Sequence, residues 1–188
     1  GLAHAFAALG VQPGQTVVTM LDNNIDAVLC WFAINKLCAV SVPINTALKG
    51  EFLRHQIADA GAALVVCEAA YAERIAAVSD GLPDVQQVLT RGTPGDRQCG
   101  TLPLASLDEH RGSDDSAFER KPQPWELACL IYTSGTTGPS KGCMISYNYM
   151  CNLARLQLRA GPANENDVTI TPLPLFHMNA MCVGVLAS

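Results

Sequence analysis

The run Thr133-Ser134-Gly135-Thr136-Thr137-Gly138-Pro139-Ser140-Lys141-Gly142 carries the clearest chemistry in the sequence. Glycines let a backbone turn sharply and bring its N–H groups close to phosphate oxygens. Gly135 and Gly138 supply that freedom, and the hydroxyls of Thr133, Ser134, Thr136 and Thr137 add neutral donors. Lys141 adds a mobile positive charge. The set suits a triphosphate. A hydrogen bond to a charged group contributes about 1.5–3 kcal/mol, so losing one should weaken phosphate binding roughly ten- to a hundred-fold. Two better-known phosphate loops do not fit. A Walker A loop counted from Gly135 needs glycine at 140 and a hydroxyl after the lysine, where the chain has Ser140 and Gly142. The dinucleotide fingerprint G-x-G-x-x-G fails because Thr137 stands two residues after Gly135.

Such a loop needs a rigid strand ahead of it, and LACLIYT at 127–133 is a buried strand by composition. After the loop the pattern predicts a helix over 147–159, a strand over 168–173 (VTITPL) and a further helix beginning in 176–188. Upstream, strands are expected at 17–21, 39–45, 63–67 and 85–89. Helices are expected at 2–9, 24–37, 50–60 and 69–79. Asp22, Asn23 or Asn24 can cap the second of these, and Gly61 suits the position just past the third. The strands are continuous apolar runs alternating with helices, which predicts an α/β fold with a parallel sheet flanked by helices. Residues 91–126 mix Gly, Pro, Asp, Ser and Arg and read as an irregular connection, with a short helix near 104–110.

The bulk numbers fit that reading. Of 188 residues, 49% are hydrophobic and 15% charged, which argues for an ordinary globular chain and against disorder. The net charge of −5 offers no basic excess for nucleic acid or an anionic membrane, so a nucleotide must be held locally. None of the eight cysteines is spaced as CxxC. They read as free, buried small hydrophobes, with a cytoplasmic setting as the default. The one long charge-free stretch, 168–188, contains Pro172, Pro174, His177 and Asn179, so no transmembrane segment is expected. His4, His55 and His110 read as structural or exposed, Trp31 and Trp125 as packing residues, and Asp108-Glu109 and Asp114-Asp115 as solvated faces.

YTSGTTGPSKG at 132–142 resembles the signature of the adenylate-forming (AMP-dependent synthetase/ligase) superfamily, which includes acyl-CoA synthetases and peptide-synthetase adenylation domains. The segment AVSVPINTALKGEFLRHQIADAGAALVVCE at 39–68 is similar to the family's region upstream of the loop, and PLPLFHMNA at 172–180 to its next motif. Pro139 and Ser140 stand in the reverse of the family's frequent order, and Tyr147 replaces a common His. The resemblance implies that Thr133 to Gly138 and Lys141 hold the phosphates of ATP, with Lys141, Thr136 and His177 taking part in catalysis. It implies that Phe176 and His177 line the acyl pocket.

The implied reaction is ATP-dependent activation of a small-molecule carboxylic acid to an acyl-adenylate, with Mg2+ on the phosphates. Thioester formation follows, with coenzyme A as cosubstrate. A peptide-synthetase-type adenylation domain, or a nucleotide-binding remnant without turnover, stand as alternatives. The family's Tyr-Gly-x-x-Glu motif, ribose-binding Asp and C-terminal domain with its catalytic lysine are not found within 1–188. The chain is therefore expected to be a partial N-terminal AMP-binding domain, with 127–188 as its phosphate-loop half, inactive alone. Oligomeric state and the acid itself stay open.

Overall fold

The computed structural model describes residues 1–133, 138–161, 164 and 166–188. The expected phosphate ligands Ser134, Gly135, Thr136 and Thr137 lie outside the described residues.

The strands are β1 (Thr16–Met20), β2 (Val40–Pro43), β3 (Ala62–Glu68), β4 (Gln87–Arg91), β5 (Gln98–Cys99), β6 (Leu102–Ser106), β7 (Leu127–Thr133) and β8 (Lys141–Ser146). They lie in the order β5-β6-β4-β3-β1-β2-β7-β8. All neighbours from β6 to β7 pair in parallel, and the two edge strands, β5 and β8, pair antiparallel. The helices are α1 (Leu2–Ala8), α2 (Ile25–Lys36), α3 (Gly50–Asp59), α4 (Ala72–Ala76) and α5 (Tyr147–Ala160).

Successive strand residues point to opposite faces, and both faces are covered. Val17 joins Phe6, Cys30 and Ile34 beneath α1 and α2, whereas Val18 and Met20 join Leu53, Ile57 and Ile75 beneath α3 and α4. Full burial of side chains of this size contributes about 1.5–3 kcal/mol each. A third cluster of Trp31, Ala128, Cys129, Met150, Leu175 and Met181 joins β7 and α5 to the last segment of the chain. Asn24 caps α2, its side chain accepting from the Ala27 N–H at 3.0 Å. Gly61 follows α3 with φ of +60°, which lets β3 begin at once.

Six of the eight cysteines behave as expected: Cys30, Cys38, Cys67, Cys99, Cys129 and Cys182 are buried, whereas Cys143 is exposed and Cys151 half-buried, and none is in a disulfide. Burial pushes the Cys30 and Cys67 thiols up to about 12, so both are neutral core groups at ordinary pH. No described helix is long and apolar enough to cross a membrane.

Four expectations need correcting. Residues 91–126 are not wholly irregular, because β5 and β6 lie within them and β6 extends the parallel sheet beside β4. Pro103 hides that strand by composition, but it points outward between buried Leu102 and Leu104. Residues 141–146, read partly as loop, form the edge strand β8, half solvent-facing and so without an apolar signature. The strand expected at 168–173 does not form, and Val168 and Ile170 are each 88% exposed. β-propensity is realised only where a neighbouring strand and a half-buried surface receive it. Trp125 is not packed but 76% exposed, unlike buried Trp31.

Candidate functional site

β7 and β8 pair antiparallel on either side of the Gly/Ser/Thr run, whose residues 134–137 lie outside the described residues. Thr133, the last residue of β7, stands opposite Lys141, the first of β8. Both side chains are exposed at the roots of the loop. One rung further down, Tyr132 faces Gly142, where a Cβ would lie 3.3 Å from the tyrosine ring. The glycine therefore gives the ring its space. The Tyr132 hydroxyl donates to Asp59 Oδ2 at 2.6 Å. Burial, with this carboxylate beside it, pushes the phenol well above its usual range, so it stays a neutral donor.

Helix α3 grips the other root. His55 Nε2 lies 2.9 Å from the Ser140 carbonyl oxygen, which accepts when that nitrogen carries the proton. Gln56 Nε2 donates to Ser140 Oγ at 3.0 Å. One helix thus fixes both arms of the pair through His55, Gln56 and Asp59. Sequence reasoning missed this role for His55. The available signal was the pair His55-Gln56 set between buried Leu53 and Ile57, since polar groups on a buried face need a partner.

A cleft of about 260 Å³ opens where β2 and β7 end, with Pro43, Ile44, Asn45, Gln56, Thr133, Phe176 and His177 among its walls. Ligands of open parallel sheets bind outside the carboxyl ends of the strands. The structure therefore brings together Thr133, Phe176 and His177. The Phe176 and His177 rings lie 4.6 Å apart, and the His177 N–H donates to the Pro174 carbonyl at 3.0 Å. Lys141 is not among the residues that line this cleft. Gly138 lines a separate shallow hollow with Glu51, Phe52, His55 and Pro139. A larger apolar hollow of about 330 Å³ between α1, α2 and Arg111–Asp115 contains none of the expected site residues.

Behind the cleft, the ends of β1, β3 and β4 carry a polar network. Glu68 Oε1 accepts from the Asp22 N–H at 3.2 Å and from Asn24 Nδ2 at 2.8 Å. Arg91 pairs with Glu68 at 3.3 Å and with Asp26 at 2.8 Å, and Arg111 pairs with Asp26 at 2.5 Å. Burial raises the Asp26 pKa, but the hydrogen bonds from Arg111 and Arg91 outweigh it and hold the carboxyl below its ordinary value. Asn23, between these residues, reaches the other way: its Oδ1 accepts from the Leu175 N–H at 2.8 Å and its Nδ2 donates to the Leu173 carbonyl at 3.0 Å.

Among the described residues no group of three His, Cys, Asp or Glu side chains could hold a metal ion. The donors near the loop are hydroxyls and one ammonium group, which suit phosphate oxygens.

Comparison with known proteins bears on the family and the fold. The family described as AMP-binding enzyme matches residues 1–188. The chain is 27% identical over 196 aligned residues to a crotonobetaine/carnitine–CoA ligase of Salmonella arizonae, covering 99% of this chain and 36% of that ligase. It resembles apo MatB from Rhodopseudomonas palustris with a TM-score of 0.84 at 27% identity, over 99% of this chain and 35% of MatB. The ATP-bound form of MatB gives a TM-score of 0.81 at 26% identity over the same shares. The chain thus spans about a third of the length of these relatives.

Proposed function

This chain belongs to the AMP-binding enzyme family, and we propose that its protein activates a carboxylic acid with ATP. In the first step a carboxylate oxygen attacks the α-phosphate, giving acyl-adenylate and pyrophosphate. In the second the thiol of coenzyme A displaces AMP. The observation that supports this reading is the convergence of Thr133, at the root of the phosphate loop, with Phe176 and His177 in one cleft at the carboxyl ends of parallel strands.

In this scheme Thr133 and Lys141 contact phosphate oxygens from the two roots of the loop, with Ser134 to Gly138 between them. Fixed donors of this kind lower the barrier by neutralising charge as it develops on departing pyrophosphate. Mg2+ keeps much of its water and binds through phosphates with one or two carboxylates, so it would arrive with the nucleotide. Phe176 offers an apolar wall to the acid, and His177 a polar contact beside its carboxylate. The solved relative with ATP bound supports the nucleotide assignment, and the carnitine-type ligase supports an acyl-CoA product.

The test is acid-dependent exchange of labelled pyrophosphate into ATP, followed by product analysis with coenzyme A. Exchange is expected from a protein that also carries the Tyr-Gly-x-x-Glu motif and late lysine that the resemblance implies. Residues 1–188 by themselves are expected to stop at nucleotide binding. Release of ADP and phosphate in place of AMP and pyrophosphate would overturn the proposal.

A further inference from the structure

The segment that carries Phe176 and His177 packs into the core through Leu175, Ala180, Met181 and Cys182, but the stretch ahead of it is not held by a strand. Residues 168–173 join no strand, and Val168 and Ile170 stand in solvent. What ties the segment to the sheet just ahead of Phe176 is the side chain of Asn23, at the carboxyl end of β1. A primary amide offers one acceptor and two donors, the pattern of a peptide group. Asn23 uses it as a neighbouring strand would, accepting from the Leu175 N–H and donating to the Leu173 carbonyl, 152 and 150 residues away. The bonds flank Pro174 and set the backbone at Leu175, whose side chain enters the core cluster with Trp31 and Met181.

The turn that presents Asn23 is itself fixed. On one side, the Asp22 N–H donates to Glu68 and the Asp22 carboxylate accepts from the Tyr71 hydroxyl at 2.8 Å. On the other, Asn24 caps α2 through its oxygen and donates to Glu68 through its nitrogen. Glu68 is anchored in turn by Arg91. Asp22 and Asn24 are thus committed to the first half of the chain, while the amide of Asn23 is committed to the second.

We propose that Asn23 is a positioning residue for the acyl-facing wall of the cleft: through Leu173 and Leu175 it sets the height of Phe176 and His177 over the ends of β2 and β7. This deepens the acid-activating function proposed above and rests on it. Asn23 touches no reacting group; it acts through the backbone that carries His177.

The experiment compares the wild-type protein with Asn23→Ala and Asn23→Asp by amide hydrogen exchange and steady-state kinetics. In Asn23→Ala the Leu175 amide is expected to exchange about ten-fold faster, the scale of losing neutral hydrogen bonds. The KM for the acid should rise by a similar factor, while the KM for ATP and the melting temperature stay near wild type. Asn23→Asp keeps the acceptor for Leu175 and loses the donor for Leu173, so it should fall between the two. Unchanged exchange at Leu175 in Asn23→Ala would overturn the proposal. So would a joint rise in both KM values with a lower melting temperature, the mark of general loosening. If the wild-type protein activates no acid, the functional reading fails, and the exchange at Leu175 still decides whether the latch exists.

Discussion

Replacing Lys141 with alanine separates phosphate recognition from folding. Lys141 opens the edge strand β8 opposite Thr133, with its side chain exposed. Exposed substitutions away from caps, cores and special backbone positions usually shift stability by less than about 0.5 kcal/mol. The fold should therefore tolerate the change. Nucleotide binding should not. An ammonium-to-phosphate bond contributes about 1.5–3 kcal/mol, so the Kd for Mg-ATP should rise roughly ten- to a hundred-fold. The change also moves the net charge from −5 to −6, which adds a smaller repulsion of the same sign. Lys141→Arg should lose less, because it keeps the charge but spreads it over a wider group. Calorimetric titration with Mg-ATP, beside a thermal melt, reads both quantities. The gap between wild type and Lys141→Ala should narrow as salt is raised, because screening weakens the wild-type contact. An alanine variant with wild-type melting and wild-type Kd would refute the assignment of Lys141 to the phosphates.

Two stability predictions rest on the first half of the chain. Asp26 is held ionised by Arg91 and Arg111, so its folded pKa lies below its unfolded one. The unfolded chain then takes up the proton first. The stabilisation is present above about pH 4, the ordinary Asp range, and is lost as pH falls through the folded value. Asp26→Asn should cost about 1–3 kcal/mol at pH 7 and progressively less toward pH 3, read by urea melts; a gap independent of pH would contradict the ion-pair account. Gly100 has φ of +62°, and a Cβ there would lie 2.1 Å from Ser79 Oγ and 2.6 Å from the Ala76 carbonyl oxygen. Gly100→Ala should therefore destabilise by about 2–4 kcal/mol, from backbone strain and overpacking together; a melt within error of wild type would refute this.

Much of the fold could be read from the sequence, for a physical reason. The central strands are buried on both faces, so they announce themselves as apolar runs such as VVTML and ALVVC. What could not be read lies at the margins. β6 is interrupted by Pro103, and β8 begins with Lys141 and Gly142, so neither carries the signature of a buried strand. VTITPL carries the signature yet finds no partner strand. The site shows the same division. Thr133, Phe176 and His177 were nameable from motifs, and they meet in one cleft. Asn23, His55 and Gln56 were not, because their work depends on partners 84 to 152 residues away. No local pattern reports such a distance.

The sheet order alone does not place the cleft. The order β2-β1-β3-β4-β6 reverses direction beside β1, and the crevice at such a reversal is the usual place for a ligand. Here that crevice is filled by Glu68, Asp22, Asn24, Arg91 and Asp26, bonded to one another. The cleft opens instead at the seam where β7 joins β2, through the register pair Ser41–Cys129, after the chain has left the seam at Pro43 and returned at Leu127. A seam joined at one register pair needs ties from elsewhere. They come as side chains from the first half gripping backbone or polar atoms of the second: Asn23 on Leu173 and Leu175, His55 and Gln56 on Ser140, and Asp59 on Tyr132. Each tie lands beside a residue expected to meet substrate. The first half of the chain therefore ties down the end of β7, Ser140 ahead of β8 and the stretch ahead of Phe176 and His177, although the motifs that point to the chemistry lie in the second.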